Sequence, residues 1–293
     1  MSPQAPAAPE ELNGDNILPL LKTWVLGRKV YAFGRCDSTN VVARRLMESR
    51  DGRVRPLEHG AIVLTDYQYA GKGRNARRWH APHGTSLLFS LILDPCAEIP
   101  ETSENRSRTV GEALRDKSYL ATMIAAAAVV RAIRQIGGPV CAIKWPNDVL
   151  SQGGRKICGI LTERLVRTDD SVGIICGIGV NVNQEDLDFP EDLQRTVTSL
   201  RMLTGREISR LELLAAILEQ FEVCMSLPED ALLEVWQNLC RTIGRTVRAR
   251  LSDRILVGSA VGLEKDGRLI IRTENGQTES IHSGDVEEIR AVV

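Results

Sequence analysis

The 293-residue chain is poor in aromatic residues and carries no excess charge of either sign. Aromatic residues make up 4% of it, and 37 basic residues balance 38 acidic ones, for a net charge of −1. Its core must therefore be built from aliphatic side chains. A nucleic-acid-binding domain usually carries a basic excess, so this balance argues against a nucleic-acid partner.

Long hydrophobic runs and patterned cysteines are also missing. The longest helical apolar run, over residues 120–130, ends at Arg131, whereas a membrane-spanning helix needs about 20 apolar residues. No membrane segment is therefore predicted. The first ten residues, MSPQAPAAPE, lack the parts of a secretory signal and predict a disordered tail. The seven cysteines include no C-x-x-C pair, which is typical of reduced thiols in a cytoplasmic protein and excludes a disulfide scaffold.

The order of apolar segments and turn signals predicts an α/β (α+β) protein with two domains. Helices are expected over residues 14–26, 118–136, 209–225 and 229–239, and strands over 60–68, 86–93, 156–166 and 172–182. Residues 98–116 look like a polar insertion. After residue 242, short β-segments alternate with the hairpin turns Asp266-Gly267 and Asn275-Gly276. We expect a tail and short helix over 1–29, a mixed-sheet domain over 30–239 and a small β-barrel over 240–293.

Residues 69–79, YAGKGRNARRW, form a loop suited to an anionic ligand. Gly71 and Gly73 let the backbone approach a ligand closely, and four cations lie in the same loop: Lys72, Arg74, Arg77 and Arg78. Such a loop can grip a phosphate or a carboxylate. It is not a P-loop, because no Ser or Thr follows the lysine. The alternative is a solvated basic loop.

Four further segments carry polar groups in structured surroundings. In IKWPNDVL, Asn147 and Asp148 could contact a nucleotide or hydrated Mg²⁺, although Pro-Asn-Asp turns are common. In RKICGILTE, Lys156 begins an apolar strand and points either into a cleft or into solvent. In CGIGVNVN, glycines interrupt a strand, which indicates that something needs the space. DSTN, residues 37–40, supplies hydroxyl and amide groups at a helix start, where they also serve as an N-cap.

Taken together and in order, these segments resemble the biotin protein ligases, also called biotin–[acetyl-CoA-carboxylase] ligases. The pattern is DSTN, Q-x-A-G-K-G-R-x-x-R-x-W, KWPND, RK-x-x-G-I-L-x-E and G-I-G-x-N-x-N, over residues 37 to about 200. The β-rich C-terminus resembles the family's small SH3-like domain. The resemblance implies that ATP activates biotin to biotinyl-5′-AMP. The biotinyl group then passes to one lysine of biotin carboxyl carrier protein.

The resemblance also implies residue roles. Lys156 and the loop residue Arg74 would be catalytic, and Asp148 would hold Mg²⁺. The biotin-binding set would be Ser38, Thr39, Asn40, Gln68, Lys72, Gly73, Arg74, Lys156, Gly159, Gly177 and Gly179. The nucleotide-binding set would be Arg77, Trp79, Lys144, Asn147 and Asn181. The chain departs from the family at Lys72, where many members have Arg, and at Ala76, where Gly is common.

Two other functions stay open at this point. A lipoate or octanoate ligase or transferase would share the fold but lack the basic loop. A non-catalytic biotin sensor would need a DNA-binding module or the loss of Lys156 or Arg74. Some relatives carry an N-terminal winged helix-turn-helix. Because only 36 residues precede Asp37, we expect a monofunctional ligase. The sequence leaves open a homodimer and the identity of the carboxylase carrier.

Overall fold

The structure, a computed structural model, describes residues 10–48, 58–95, 119–166, 170–282 and 284–289. The expected disordered tail, except for Glu10, and the expected insertion over residues 98–116 lie outside this part of the chain. No helix within these ranges has both the length and the apolar character required to cross a membrane.

A seven-stranded mixed sheet forms the centre of the larger domain. Its strand order is β1-β2-β3-β7-β6-β5-β4. Strands β1 and β2 are parallel, and every other neighbouring pair is antiparallel. The mixed sheet confirms the predicted fold class. The strands are β1 (Val30–Phe33), β2 (Ile62–Thr65), β3 (Ser86–Leu93), β4 (Cys141–Lys144), β5 (Asp148–Ser151), β6 (Lys156–Val166) and β7 (Val172–Asn181).

Helices cover both faces of this sheet. They are α1 (Gly14–Ile17), α2 (Thr39–Met47), α3 (Tyr119–Gln135), α4 (Leu200–Thr204), α5 (Arg210–Met225) and α6 (Glu229–Leu239). All eight residues of β3 are buried. Leu87, Phe89 and Leu91 join the larger core with α3 and α5, whereas Ile92 joins the smaller core with α2. Burial of both faces explains why this strand carries apolar side chains on both of its faces.

The Ala-rich helix α3 ends at a pair of glycines, as the sequence predicts. Gly137 adopts a φ of 71°, and the amide of Gly138 donates to the carbonyl of Ile133 at 2.8 Å. This geometry satisfies carbonyls that the last helical turn leaves unpaired. On the solvent side, Arg131 Nε donates to Gln220 Oε1 at 2.7 Å and ties α3 to α5.

A five-stranded antiparallel sheet forms the C-terminal unit. Its order is β11-β10-β9-β8-β12, and its strands are β8 (Thr246–Arg250), β9 (Ile255–Leu263), β10 (Leu269–Arg272), β11 (Thr278–Ile281) and β12 (Asp285–Glu288). Trp145 connects the two sheets. Its backbone amide donates to Thr242 Oγ1 and its indole Nε1 donates to the carbonyl of Gly267, each at 3.0 Å.

The expected helix over residues 14–26 is wrong in length. Only Gly14–Ile17 is α-helical, followed by a 3₁₀ turn over Leu18–Leu20. Pro19 cannot continue the α-helical hydrogen bonds, and further along the Glu222 carboxylate accepts the amides of Trp24, Val25 and Leu26. The segment is nevertheless part of the main core through Leu12, Ile17, Leu21 and Leu26. Helix α4 and strand β12 were not predicted at all.

Candidate active site

One cavity of about 580 Å³ collects every site residue that the sequence predicted. It lies on β6 and β7, between the start of α2, the basic loop, the β4–β5 turn and strand β12. The seventeen predicted residues on its lining are Ser38, Thr39, Asn40, Gln68, Lys72, Gly73, Arg74, Arg77, Trp79, Lys144, Asn147, Asp148, Lys156, Gly159, Gly177, Gly179 and Asn181.

At one end of the cavity, the start of α2 presents buried polar side chains. Ser38, Thr39 and Asn40 are each less than 5% exposed. Ser38 is the N-cap residue, but its hydroxyl makes no capping hydrogen bond. Instead, Gln68 Oε1 accepts the backbone amide of Thr39 at 2.8 Å. Ser38 thus occupies the predicted N-cap position, but the helix does not use its hydroxyl.

The glycines of β6 and β7 make room for protein side chains. A Cβ at Gly177 would overlap Asn40 Oδ1. A Cβ at Gly179 would lie 2.8 Å from Trp79 Cε2, and one at Gly159 would lie 2.9 Å from Trp79 Cζ3. These distances are shorter than van der Waals contact. The space that the sequence indicated is therefore occupied by Asn40 and Trp79, which themselves line the cavity.

The basic loop folds back on itself over the cavity. The amide of Gly73 donates to the carbonyl of Arg77 at 2.7 Å, and the amide of Trp79 donates to the carbonyl of Gly71 at 3.0 Å. Asn75 and Ala76 between them adopt left-handed φ values of 54° and 57°. Ala disfavours this conformation and glycine does not, which gives a physical reason for the glycine that the family often has at position 76.

Two arginines of the loop reach to other elements. Arg74 Nη1 donates to Asn147 Oδ1 at 3.0 Å, on the β4–β5 turn. Arg77 forms an ion pair with Asp285 of β12. The loop is thereby joined to both domains of the chain.

Cations concentrate around a single carboxylate. Lys156 Nζ lies 2.7 Å from Asp148 Oδ1 and 5.5 Å from the ring centre of Trp79. Burial lowers the pKa of Lys144, and the nearby charge of Lys156 acts in the same direction while Asp148 opposes it. Burial also lowers the pKa of Arg74, again against the effect of Asp148. This surplus of positive charge favours a polyanionic ligand.

The two asparagines of the predicted nucleotide set are held by backbone carbonyls. Asn147 Nδ2 donates to the carbonyl of Ile160 at 2.7 Å. Asn181 Nδ2 donates to the carbonyl of Thr198 at 3.1 Å, and its Oδ1 accepts from Gln184 at 3.1 Å. Their orientations are therefore fixed before any ligand binds.

Sequence reasoning missed two parts of the lining. One is the segment that follows β7, with Phe189, Leu193, Arg195 and Thr196. It joins β6 because Lys156 donates its backbone amide to the carbonyl of Thr196 at 2.8 Å. The other is Gly284, Asp285 and Val286 of the C-terminal unit. Neither carried a motif, and only the approach of distant segments places them here.

A metal site built from protein ligands alone does not occur within the described ranges, which contain no group of three or more His, Cys, Asp or Glu suited to a metal ion. Both carboxylates of the lining, Asp148 and Asp285, are paired with cations. Mg²⁺, however, is commonly held by one or two carboxylates together with substrate phosphates. The donor set thus fits an ion that arrives with a nucleotide.

Comparisons with known proteins agree with this geometry. Residues 35–181 match the Biotin/lipoate A/B protein ligase family, and residues 242–287 match the Biotin protein ligase C terminal domain. The chain belongs to the biotin protein ligases. A Bifunctional ligase/repressor BirA from Bacillus subtilis (strain 168) is 33% identical over 283 residues, which cover 95% of this chain and 80% of that protein.

Two other relatives extend the comparison. A Biotin--[acetyl-CoA-carboxylase] ligase from Paracoccus denitrificans is 30% identical over 250 residues, covering 83% of this chain and 94% of that protein. The structure of a biotin protein ligase from Aquifex aeolicus in complex with biotin and ATP superposes with a TM-score of 0.66 at 26% identity. It covers 90% of this chain and 100% of that one. Biotin protein ligases thus resemble this chain in both sequence and fold.

Proposed function

We propose that this chain is an ATP-dependent ligase that activates biotin to biotinyl-5′-AMP and transfers the biotinyl group to a lysine of biotin carboxyl carrier protein. The observation that carries the proposal is the convergence of all seventeen predicted residues on one cavity. One end of that cavity is buried and neutral and the other is cationic. Such a division suits a ligand with an uncharged, hydrogen-bonding ring system at one end and phosphates at the other.

The neutral end suits the ureido ring of biotin. Hydroxyl and amide groups of Ser38, Thr39, Asn40 and Gln68 lie there. A buried site that pairs with each polar atom of a ligand strongly rejects analogues that leave those groups unpaired. The cationic loop residues Lys72 and Arg74, with Gly73 between them, lie over the rest of the ligand.

The cationic end suits the chemistry of activation. A carboxylate oxygen of biotin attacks the α-phosphorus of ATP, and pyrophosphate leaves. Both reactants are anions, so a fixed cation must offset the charge that builds up between them. Lys156 supplies that cation. Before substrates arrive its partner is Asp148, and we propose that the ammonium turns from this carboxylate to the substrate oxygens.

The movement of Lys156 away from Asp148 would also free a ligand for Mg²⁺. When Lys156 turns to the substrates, Asp148 is left with a free carboxylate, the type of ligand that Mg²⁺ prefers. We propose that Mg²⁺ enters with ATP and is held by its phosphates and by Asp148. Lys144, Arg77, Trp79, Asn147 and Asn181 would surround the nucleotide.

In the second half-reaction, the neutral amine of the carrier lysine attacks the acyl carbon. AMP leaves, and the amine loses a proton as the amide forms. We propose that residues 30–239 carry this chemistry and that residues 240–293 help to hold the nucleotide through Asp285 and Val286. Residues 1–29 are proposed as a tail and short helix, of which Leu12, Ile17, Leu21 and Leu26 join the main core.

A cytoplasmic location is proposed as well. The six cysteines of the described residues, Cys36, Cys141, Cys158, Cys176, Cys224 and Cys240, are all unpaired and buried. Burial raises the pKa of Cys141 and of Cys176 to about 12, so these thiols stay protonated. Such thiols are typical of a reducing compartment.

The test is mass spectrometry of a biotin carboxyl carrier domain incubated with the protein, ATP, Mg²⁺ and biotin. The carrier should gain one biotinyl group, and omission of ATP should abolish the gain. Parallel reactions with lipoate in place of biotin should leave the carrier unmodified. Transfer of lipoate but not biotin would contradict the proposal.

A further inference from the structure

Three residues outside the cavity are connected to its neutral end. Ser90 lies on β3 and is fully buried, Glu163 lies on β6, and Arg44 lies on α2. None of them lines the cavity. They form a continuous chain of polar contacts that runs from Arg44 through Glu163, Asn40 and Ser90 to Thr39.

The outer part of this chain fixes the amide of Asn40. Its Nδ2 lies 2.8 Å from Glu163 Oε2 and 3.1 Å from the carbonyl oxygen of Leu161. Both partners can only accept hydrogen bonds. One is a backbone carbonyl, and the other, Glu163, is a carboxylate paired with Arg44 at 3.1 Å. Asn40 must therefore point its nitrogen at them and its oxygen at Ser90.

The inner part then determines the direction of the hydroxyl protons. Ser90 Oγ lies 2.6 Å from Asn40 Oδ1 and 2.7 Å from Thr39 Oγ1. A hydroxyl has one proton. Because Asn40 Oδ1 can only accept, the proton of Ser90 goes to Asn40, and the oxygen of Ser90 is left to accept the proton of Thr39.

Thr39 consequently faces the cavity with lone pairs only. A second acceptor, Gln68 Oε1, lies 3.2 Å from the Thr39 hydroxyl. The proton of Thr39 therefore points into the protein whether Ser90 or Gln68 accepts it. Gln68 Oε1 also accepts the amide of Thr39 at 2.8 Å, so its Nε2 is left to donate. Thr39 and Gln68 thus offer the neutral end one acceptor and one donor with fixed directions, whereas the Ser38 hydroxyl beside them can do either.

We propose that Ser90 and Glu163 are positioning residues that set this polarity and so select a ligand edge with an N–H beside a C=O. The ureido edge of biotin has this arrangement, and the proposal rests on the proposed function in that respect. The N–H would donate to Thr39 and the C=O would accept from Gln68. Without Ser90, Thr39 would keep only the longer contact to Gln68 and could turn its proton toward a ligand.

The probes are two biotin analogues, each a cyclic carbamate in which oxygen replaces one ureido N–H. Oxygen is nearly the same size but only accepts. Calorimetry without ATP gives the dissociation constants of biotin and both analogues. The native chain should bind at least one carbamate about a hundredfold or more weakly than biotin. Ser90→Ala should reduce that discrimination about tenfold or more, while adenylation at saturating biotin and ATP stays within a few-fold.

A second variant covers the case in which Ser90→Ala does not fold. Glu163→Gln keeps the side-chain volume but places an N–H against either Asn40 or Arg44, and it should also reduce the discrimination. Thr23→Ala is the control, because Thr23 is a buried hydroxyl that donates to the carbonyl of Leu26 at 2.6 Å, away from the cavity. It should lose stability without changing the discrimination.

The outcomes separate the two proposals. Unchanged discrimination in folded Ser90→Ala or Glu163→Gln overturns the polarity proposal and leaves the ligase function intact. Equal binding of biotin and both carbamates by the native chain overturns it too. If the native chain does not bind biotin, the proposed function is contradicted, and this proposal with it.

Discussion

At the scale of single residues, Lys156 and Lys144 show how position decides the role of a cation. Both line the same cavity near Asp148. Lys156 lies 2.7 Å from this carboxylate, whereas burial lowers the pKa of Lys144 and so disfavours its charge. We therefore expect Lys156 to be the side chain that stabilises the transition state.

Lys156→Ala should slow the formation of biotinyl-AMP by about 10² to 10³, the usual cost of losing one preorganised group. Single-turnover adenylation at saturating biotin and ATP measures this directly. Lys144→Ala is the matched comparison and should reduce ATP affinity more than the rate. If Lys156→Ala forms biotinyl-AMP at a rate within a few-fold of the native one, Lys144 becomes the first candidate for stabilising the transition state.

The glycines of β7 are a second case at this scale. Gly179→Ala would bring a Cβ to 2.8 Å from Trp79 Cε2, so the indole must shift. Overpacking of this kind costs about 1–3 kcal/mol. We expect weaker ATP binding and a lower free energy of unfolding, measured by calorimetry and denaturant titration.

Gly262→Ala provides the control for that prediction. Gly262 also lies in a strand, β9, but a Cβ there would meet no atom within 4 Å. This substitution should change neither ATP affinity nor stability appreciably. Similar losses in both variants would show that loss of backbone freedom, and not contact with Trp79, causes the effect.

At the scale of elements, the ion pair of Arg77 and Asp285 connects the basic loop to β12. Both side chains are well exposed, at 64% and 37%, so the pair contributes at most about 1 kcal/mol. That is small against global stability but large for the opening of a short loop, because 1 kcal/mol corresponds to about a fivefold change in population.

Asp285→Asn should therefore speed hydrogen exchange at the loop amides Gly73 and Trp79 several-fold and leave β3 unchanged. Exchange measured by mass spectrometry, with and without biotin and ATP, provides the test. The control is Glu185→Gln, which removes another exposed ion pair, with Arg201, whose two residues do not line the cavity. An equal rise in the hydrogen exchange of the loop in both variants would contradict the claim that the Arg77–Asp285 ion pair holds the loop to β12.

At the scale of the whole molecule, Trp145 links the two units by hydrogen bonds. Its indole donates to the carbonyl of Gly267 in the C-terminal unit. Trp236 is equally buried, but its indole nitrogen has no hydrogen-bond partner within the described residues. The two tryptophans thus differ in hydrogen bonding more than in burial.

Replacing each tryptophan by Phe isolates that difference. Trp145→Phe should lower the free energy of unfolding by about 1 kcal/mol more than Trp236→Phe, because it leaves the Gly267 carbonyl unsatisfied. Denaturant titration of both variants gives the comparison. Equal losses would show that the indole hydrogen bond does not help to hold the sheets together.

The sequence by itself determined the elements whose signals are local. The glycine pair after α3, the apolar run of β3 and the hairpin turns of the C-terminal sheet each depend on neighbouring residues, so their pattern was sufficient. The chemistry of the site came from the resemblance to the biotin protein ligases, because each motif taken alone left another interpretation open. The residues expected to line the site do line one cavity.

The tertiary structure alone decided whatever depends on contacts between distant segments. Glu222 holds residues 24–26 in a non-helical form across nearly 200 positions, and no local pattern contains that carboxylate. The space at Gly177 and Gly179 was visible in the sequence, but its occupants, Asn40 and Trp79, were not. Ser90 looked like an ordinary strand residue, because hydrogen-bond direction is a property of a closed network and not of a stretch of chain.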